Sequence, residues 1–131
     1  MDKALSLLAL ARKGGIAELG EEPVGGAARG GKAYVILVAK DASDHTWRRA
    51  KSFAAGTEQQ CVRLPWTKDQ LGAAIGRDTL AIAAITDVQM ALALVAALPQ
   101  EESNKPALEV LTAKAAKARQ RQQEAKAHRR N

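Results

Sequence analysis

The segment from Gly26 to Lys32 has the spacing of a phosphate-binding loop, in which backbone N–H groups and a lysine hold a nucleotide phosphate. Its residues fit the Gly-x4-Gly-Lys core of that motif. However, Ala33 follows where nucleotide-hydrolysing enzymes carry a Ser or Thr that binds magnesium, and the next residues form a strand-like run where a helix is required. We therefore do not expect nucleotide hydrolysis.

The other side chains able to do chemistry lack partners in the sequence. His45 and His128 are far apart and show no metal-ligand spacing, and Cys61 is the single cysteine. Cys61 begins a short apolar run, which is typical of a buried small side chain in a reducing compartment. We expect no catalytic residues, no metal site, no cofactor, no small-molecule substrate and no enzymatic activity, in a cytoplasmic protein.

The positive charge is confined to one end of the chain. The net charge is +6, yet residues 1–104 hold equal numbers of basic and acidic side chains, so residues 105–131 carry the whole excess. Such an asymmetry indicates a polyanionic partner, with nucleic acid favoured. The basic residues expected to contact phosphates there are Lys114, Lys117, Arg119, Arg121, Lys126, Arg129 and Arg130. A helix that merely keeps the protein in solution is the alternative interpretation.

Strand-like and helix-like segments alternate along the first 98 residues. Residues 34–39, 61–64 and 80–85 are predicted strands, and helices are predicted over 2–13, from Glu22 onward, after residues 41–43, over 67–75 and over 87–98. In the third helix Trp47, Ala50 and Phe53 form the inward face and Arg49 points away, whereas Trp66 is left open between a buried and an exposed position. The alternation predicts an α/β fold with a largely parallel sheet and helices on both faces.

The longest apolar stretch, over residues 80–98, is interrupted by Thr86 and Asp87, so a strand and a helix are expected there and no membrane partner. We predict a domain over residues 1–98, a linker over 99–106 and a basic tail over 107–131. The tail can be helical, but it has no core of its own.

Four short patterns occur in order along the predicted domain. They are the segment from Lys3 to Gly15, Gly20-Glu21-Glu22, the segment from Val38 to Ser43 and the segment from Leu71 to Gly76. Together they resemble the kink-turn-binding ribosomal protein superfamily of the L-seven-Ae and L-thirty-e type, in particular its small bacterial paralogues. The resemblance implies a three-layer α/β/α sandwich with a mixed, largely parallel sheet of about four strands. It also implies binding to ribosomal or other structured, kink-turn-like RNA, with the ribosome as a possible partner.

In that family the start of the second helix grips the bent RNA, and a loop before the last strand assists. The family pattern Gly-x-Asn-Glu-x-x-Lys falls on Gly20 to Gly26, so that Glu22 stands at the Asn position, Pro23 at the Glu position and Gly26 at the Lys position. The assisting loop corresponds to Gly76, Arg77, Asp78 and Thr79. The predicted RNA site comprises Gly20, Glu21, Glu22, Arg77, Asp78 and Thr79.

Glu21 and Glu22 can accept hydrogen bonds from a guanine edge, or they can simply complement the helix dipole. If the family fold holds, further phosphate contacts are expected to cluster at the same end of the sheet, from Arg12, Lys13, Arg29, Lys32 and Lys40. The leading hypothesis is an RNA-binding protein. The alternatives are a protein-interaction module of the same fold that has lost RNA recognition and, third, an enzyme subunit or the detached RNA-binding domain of a modifying enzyme.

Overall fold

A computed structural model describes residues 2–129, in which helices and strands alternate up to residue 96 and a 3-10 turn and a further helix follow. The helices are α1 (Lys3–Lys13), α2 (Glu21–Arg29), α3 (Asp44–Ala54), α4 (Lys68–Ile75), α5 (Val88–Ala96) and α6 (Lys105–Arg129), with a 3-10 turn over Glu102–Asn104. The strands are β1 (Ala17–Leu19), β2 (Val35–Val38), β3 (Gln60–Arg63) and β4 (Ile82–Ile85).

The four strands form one mixed sheet in the order β1-β4-β2-β3. The expectation of a largely parallel sheet is wrong, because β4 runs antiparallel to both β1 and β2, and only β2 and β3 pair in parallel. Two causes account for this. The three-residue strand β1 was too short to show in the sequence pattern, and the chain from β3 to β4 does not cross the sheet.

The connection from β3 to β4 begins and ends at the same edge of the sheet. After α4 the chain turns at Gly76, whose φ of +75° is left-handed, and runs back until Leu80 N donates to Lys68 O at the start of α4. The returning segment lies against Gly72, where a Cβ would meet Asp78 O at 2.6 Å. Because of this close approach, the chain returns alongside α4 and begins β4 at the edge where β3 ends.

Helices cover both faces of the sheet, which confirms the three-layer α/β/α sandwich. Alternate residues of β2 point to opposite layers: Val35 and Leu37 pack with α1, α4, α5 and α6, whereas Ile36 and Val38 pack with α2 and α3. The buried residues are almost all aliphatic, and Trp47 and Phe53 lie only partly buried at the edge of the smaller cluster.

The first half of α6 belongs to the hydrophobic core. Ala107, Leu111 and Ala115 follow at helical spacing and are buried against the domain, with Leu111 fully covered. The division at residues 98 and 106 stays a prediction about folding units, but the packed core extends past it to Ala115. Over residues 2–129 no helix is both long and apolar enough to span a bilayer.

Candidate RNA-binding site

One edge of the sheet brings together the central residues of the predicted site. At this edge, which we call the helix-2 edge, β1, β2 and β3 end and β4 begins, as the pairings Leu19 with Ala83 and Val38 with Ile82 show. Gly20 N donates to Ile82 O at 3.0 Å, so the start of α2 lies beside the start of β4 and the loop that precedes it. Lys40, two residues after β2, lies at the same edge and is exposed.

The start of α2 has free backbone N–H groups. Its N-cap, Gly20, has φ +98° and ψ 160°, a conformation open essentially only to glycine, and no side chain caps the helix. By contrast, α1, α3, α4 and α5 are capped by Asp2, Ser43, Thr67 and Asp87, respectively. Because Pro23 has no N–H and Val24 N donates to Gly20 O, the N–H groups of Glu21 and Glu22 have no hydrogen-bond partner within residues 2–129. Such groups attract anions.

The two glutamates at this helix start differ in their surroundings. Glu21 Oε1 is buried, and Arg49 Nε of α3 lies 2.9 Å away in an ion pair whose N–H is not aligned for a hydrogen bond. His45 Nε2 lies 3.8 Å from the same oxygen. Glu22 is exposed. Glu21 therefore links α2 to α3, and Glu22 is the carboxylate that remains available to an incoming base.

Sequence reasoning missed His45 and Arg49 at this site. Arg49 was expected to point away from the protein, yet it reaches Glu21 because α2 and α3 pack side by side. The guanidinium of Arg49 also stacks on Phe53 at 5.3 Å. Only the three-dimensional packing of the two helices brings residues 21 and 49 together, so no local pattern could have revealed the contact.

The assisting loop is exposed at this edge. Arg77, Asp78 and Thr79 are all accessible to solvent, and the loop is anchored by Arg77 N, which donates to Gly72 O at 2.8 Å. The loop and the start of α2 are thus two separate segments that could contact one ligand. Both lie at the helix-2 edge, the loop before β4 and the helix start after β1.

Four of the expected phosphate contacts lie elsewhere. Arg12 and Lys13 end α1, Arg29 ends α2 and Lys32 follows it, next to the opposite edge, where β1, β2 and β3 begin and β4 ends. We call this the tail edge. The expectation that they cluster with Gly20 and Lys40 is wrong, because a nine-residue helix starting at one edge spans about 13 Å and ends at the other. Lys32 therefore follows the carbonyl end of α2, which is unsuited to a phosphate-binding loop.

The basic residues of α6 also lie at the tail edge. Helix α6 runs antiparallel to α5, as Gln89 Nε2 of α5 donates to Ala115 O and Gln89 Oε1 accepts from Arg119. Lys114 pairs with Glu58, and Lys117, Arg119, Arg121 and Lys126 are exposed. The side chain of Arg129 and the whole of Arg130 lie outside the described residues.

The two remaining side chains considered in the sequence, Cys61 and Trp66, are both partly buried. Burial raises the pKa of the Cys61 thiol to about 11, so it is a weak nucleophile near neutral pH. Trp66 is half-buried and packs against the larger core cluster, between the two positions considered for it. Within residues 2–129 no three His, Cys, Asp or Glu side chains are grouped so that they could hold a metal ion.

Comparison with known proteins identifies the fold but not the family. No protein-family model and no curated protein matches the chain. A solved Bacillus halodurans protein of unknown function is 26% identical with a TM-score of 0.69, over 74% of this chain and 97% of that one. A 15.5-kD RNA-binding protein of Giardia lamblia has a TM-score of 0.55 at 16% identity, over 86% of this chain and 84% of that one. The chain therefore shares its fold with an RNA-binding protein.

Proposed function

We propose that this protein binds structured RNA, with a sharply bent, kink-turn-like segment held at the helix-2 edge. The observation that carries the proposal is the uncapped start of α2, which lies at the same edge of the sheet as the exposed loop Arg77 to Thr79. The fold shared with the Giardia RNA-binding protein supports the same function. Binding to ribosomal RNA and association with the ribosome belong to this proposal, as does a cytoplasmic location.

The chemistry of the edge suits a base and a phosphate together. The free N–H groups of Glu21 and Glu22 are donors for a phosphate oxygen, and Lys40 and Arg77 add positive charge near them. The exposed carboxylate of Glu22 is an acceptor for the N–H groups of a guanine edge that is not engaged in a Watson–Crick pair. An intact duplex hides the base edges, whereas a bent RNA with unpaired bases exposes them. The contact with a base edge would therefore distinguish bent RNA from a duplex.

The test compares a kink-turn RNA with an uninterrupted duplex of similar length, by fluorescence anisotropy. We expect the protein to prefer the kink-turn RNA. The variant Glu22→Ala loses most of that preference, whereas Glu18→Ala, which removes an exposed carboxylate from β1, keeps it. Equal behaviour of the two variants would show that Glu22 only complements the helix dipole.

A protein-interaction module is the second candidate, and one observation favours it. The start of α2 carries two carboxylates, Glu21 and Glu22, and Gly26 stands where the family pattern has its lysine. Carboxylates oppose the approach of a polyanion. If the wild-type protein binds kinked and duplex RNA equally weakly in the anisotropy test, this candidate replaces the first.

We also propose that the protein acts by binding and not by catalysis. In support, His45 faces Glu21 and no nucleophile, and the Cys61 thiol is largely protonated near neutral pH. Turnover of an RNA or nucleotide substrate by the purified chain would contradict this proposal.

A further inference from the structure

A groove runs between α6 and the edge strand β3 at the tail edge. Its volume is about 550 Å³, with Tyr34 and Gln60 on the sheet side and Lys114, Lys117 and Arg121 on the α6 side. A second cavity of about 350 Å³ continues it towards the end of α2, where Arg29 lies on the wall. The two cavities share Tyr34 and Lys114, so they form one continuous surface, which we call the tail groove.

The tail groove is strongly positive. Of its lining residues, Arg29, Lys114, Lys117 and Arg121 are basic and Glu58 is the one acid. Glu58 is already paired with Lys114, whose ammonium holds the pKa of that carboxyl below its usual value. Neither Lys117 nor Arg121 forms an ion pair with any carboxylate in the described part of the chain. Their charge is free for a ligand.

Three of the four basic residues of the tail groove lie on α6, and this helix is fixed on the core. Leu111 and Ala115 fix α6 on the core, and Gln89 joins it at Ala115 and Arg119. Lys117 and Arg121 are four residues apart and therefore lie on one face of the helix. Tyr34, half-buried, places an aromatic ring in the groove below them. Cations spaced along a groove with an aromatic ring between them are the usual means of holding single-stranded nucleic acid.

We propose that the tail groove is a second RNA-binding site, which takes a single-stranded segment with phosphates at Lys117, Arg121 and Arg29 and a base against Tyr34. The proposal rests on the proposed function in RNA binding and extends it. Because this groove and the start of α2 lie at opposite edges of the sheet, one protein contacts two separate stretches of RNA.

The test uses a short oligouridylate and the full-length chain, with anisotropy measured over a range of salt concentrations. Arg121→Glu is compared with Lys105→Glu, which makes the same charge change at the other end of α6 and outside the groove. We expect Arg121→Glu to weaken binding by ~10-fold and to reduce the salt slope of log K by about 0.7 per lost contact. Lys105→Glu should change the affinity by less than about 2-fold. Equal losses in both variants would overturn the groove and leave only a diffuse attraction of α6 for polyanions.

Ultraviolet cross-linking provides a second measurement that needs no variant. We expect oligouridylate to cross-link to Tyr34, and a cross-link confined to residues of the helix-2 edge would overturn the proposal. A kink-turn RNA without single-stranded ends separates the two proposals. If the groove alone fails, the preference for this RNA survives while Arg121→Glu and Lys105→Glu bind oligouridylate alike. If the proposed function alone fails, the preference for the kinked RNA is absent while the difference between the two variants remains.

Discussion

The helix-2 edge and the tail edge are opposite ends of one sheet, and they differ in almost every property that matters to RNA. The helix-2 edge has free backbone N–H groups, a strained glycine and two carboxylates at the start of α2. The tail edge has a groove with four basic side chains and a single carboxylate that is already paired. The first suits selective contacts with bases, and the second suits tight contacts with phosphates.

The separation of the two edges shows that the net charge of the chain does not indicate where a base-recognising site would lie. The excess of +6 falls on residues 105–131, yet the fold places the basic side chains in the middle of α6 at the end of the sheet away from the start of α2. An affinity measurement on the full chain thus combines both edges. Variants that act on one edge at a time are needed to assign the contributions.

The largest effect is expected at the core contact that fixes the tail edge. Leu111 is fully buried, so Leu111→Ala should lower the free energy of unfolding by about 3 kcal/mol through lost burial and the cavity left behind. The control Leu10→Ala removes a leucine that is 57% exposed and should change stability by less than about 1 kcal/mol. Urea unfolding followed by circular dichroism measures both. Similar small losses would mean that α6 is not part of the folded core.

The next effect is expected at the helix-2 edge. A Cβ at Gly72 would meet Asp78 O at 2.6 Å, so Gly72→Ala must displace the assisting loop and should cost about 1–3 kcal/mol of stability. Binding of kink-turn RNA should fall, while binding of oligouridylate at the tail edge stays the same. Loss of both affinities in a folded variant would show that the two edges are not independent.

A smaller effect of opposite sign is expected for Gly26. This glycine is exposed and a Cβ added to it would have no atom within 4 Å, so Gly26→Ala should stabilise α2 by about 1 kcal/mol. Gly26→Lys should give a similar gain in stability and also strengthen kink-turn binding, since it restores a cation at the family's position. An affinity equal to that of Gly26→Ala would count against the alignment of α2 with the family pattern.

The smallest effect is expected for the ion pair between α2 and α3. Arg49 and Glu21 have side chains that are 45% and 36% exposed, so Arg49→Ala should lower stability by less than about 1 kcal/mol. Thermal unfolding at low and high salt measures it, and the difference from wild type should shrink as salt rises. A difference that is insensitive to salt would indicate that the contact with Phe53, not the charge, holds the helices together.

The sequence predicts the local features well where one segment contains the whole signal. Thr67 and Gln70 form a capping box, with both hydrogen bonds present, where a helix is predicted to begin. The buried run in β2 and the glycine that ends α4 are likewise visible in the residues themselves. Gly25 and Gly26 look alike in the sequence, but a Cβ at Gly25 would meet Phe53 at 3.0 Å and one at Gly26 would meet nothing. Nothing in the structure requires a glycine at position 26.

What the sequence could not predict depends on which edge each segment reaches. Arg29 and Lys40 are close in the sequence but lie at opposite edges, because β2 crosses the sheet between them. The contact of Arg49 with Glu21 depends on the packing of two helices, and the strand β1 is too short to have a periodicity. Of the predicted site residues, the start of α2, the assisting loop and Lys40 lie at one edge, whereas Arg12, Lys13, Arg29 and Lys32 lie at the other. Their part in RNA binding stays a prediction.

The burial of Leu111 has a consequence for how the protein folds as it is made. Translation delivers the sheet and its first five helices before the leucine that completes the larger apolar layer. Until that residue has left the ribosomal exit tunnel, the surface of α5 that it later covers is open to water and to other chains. The nascent polypeptide thus needs its sixth helix to close its interior.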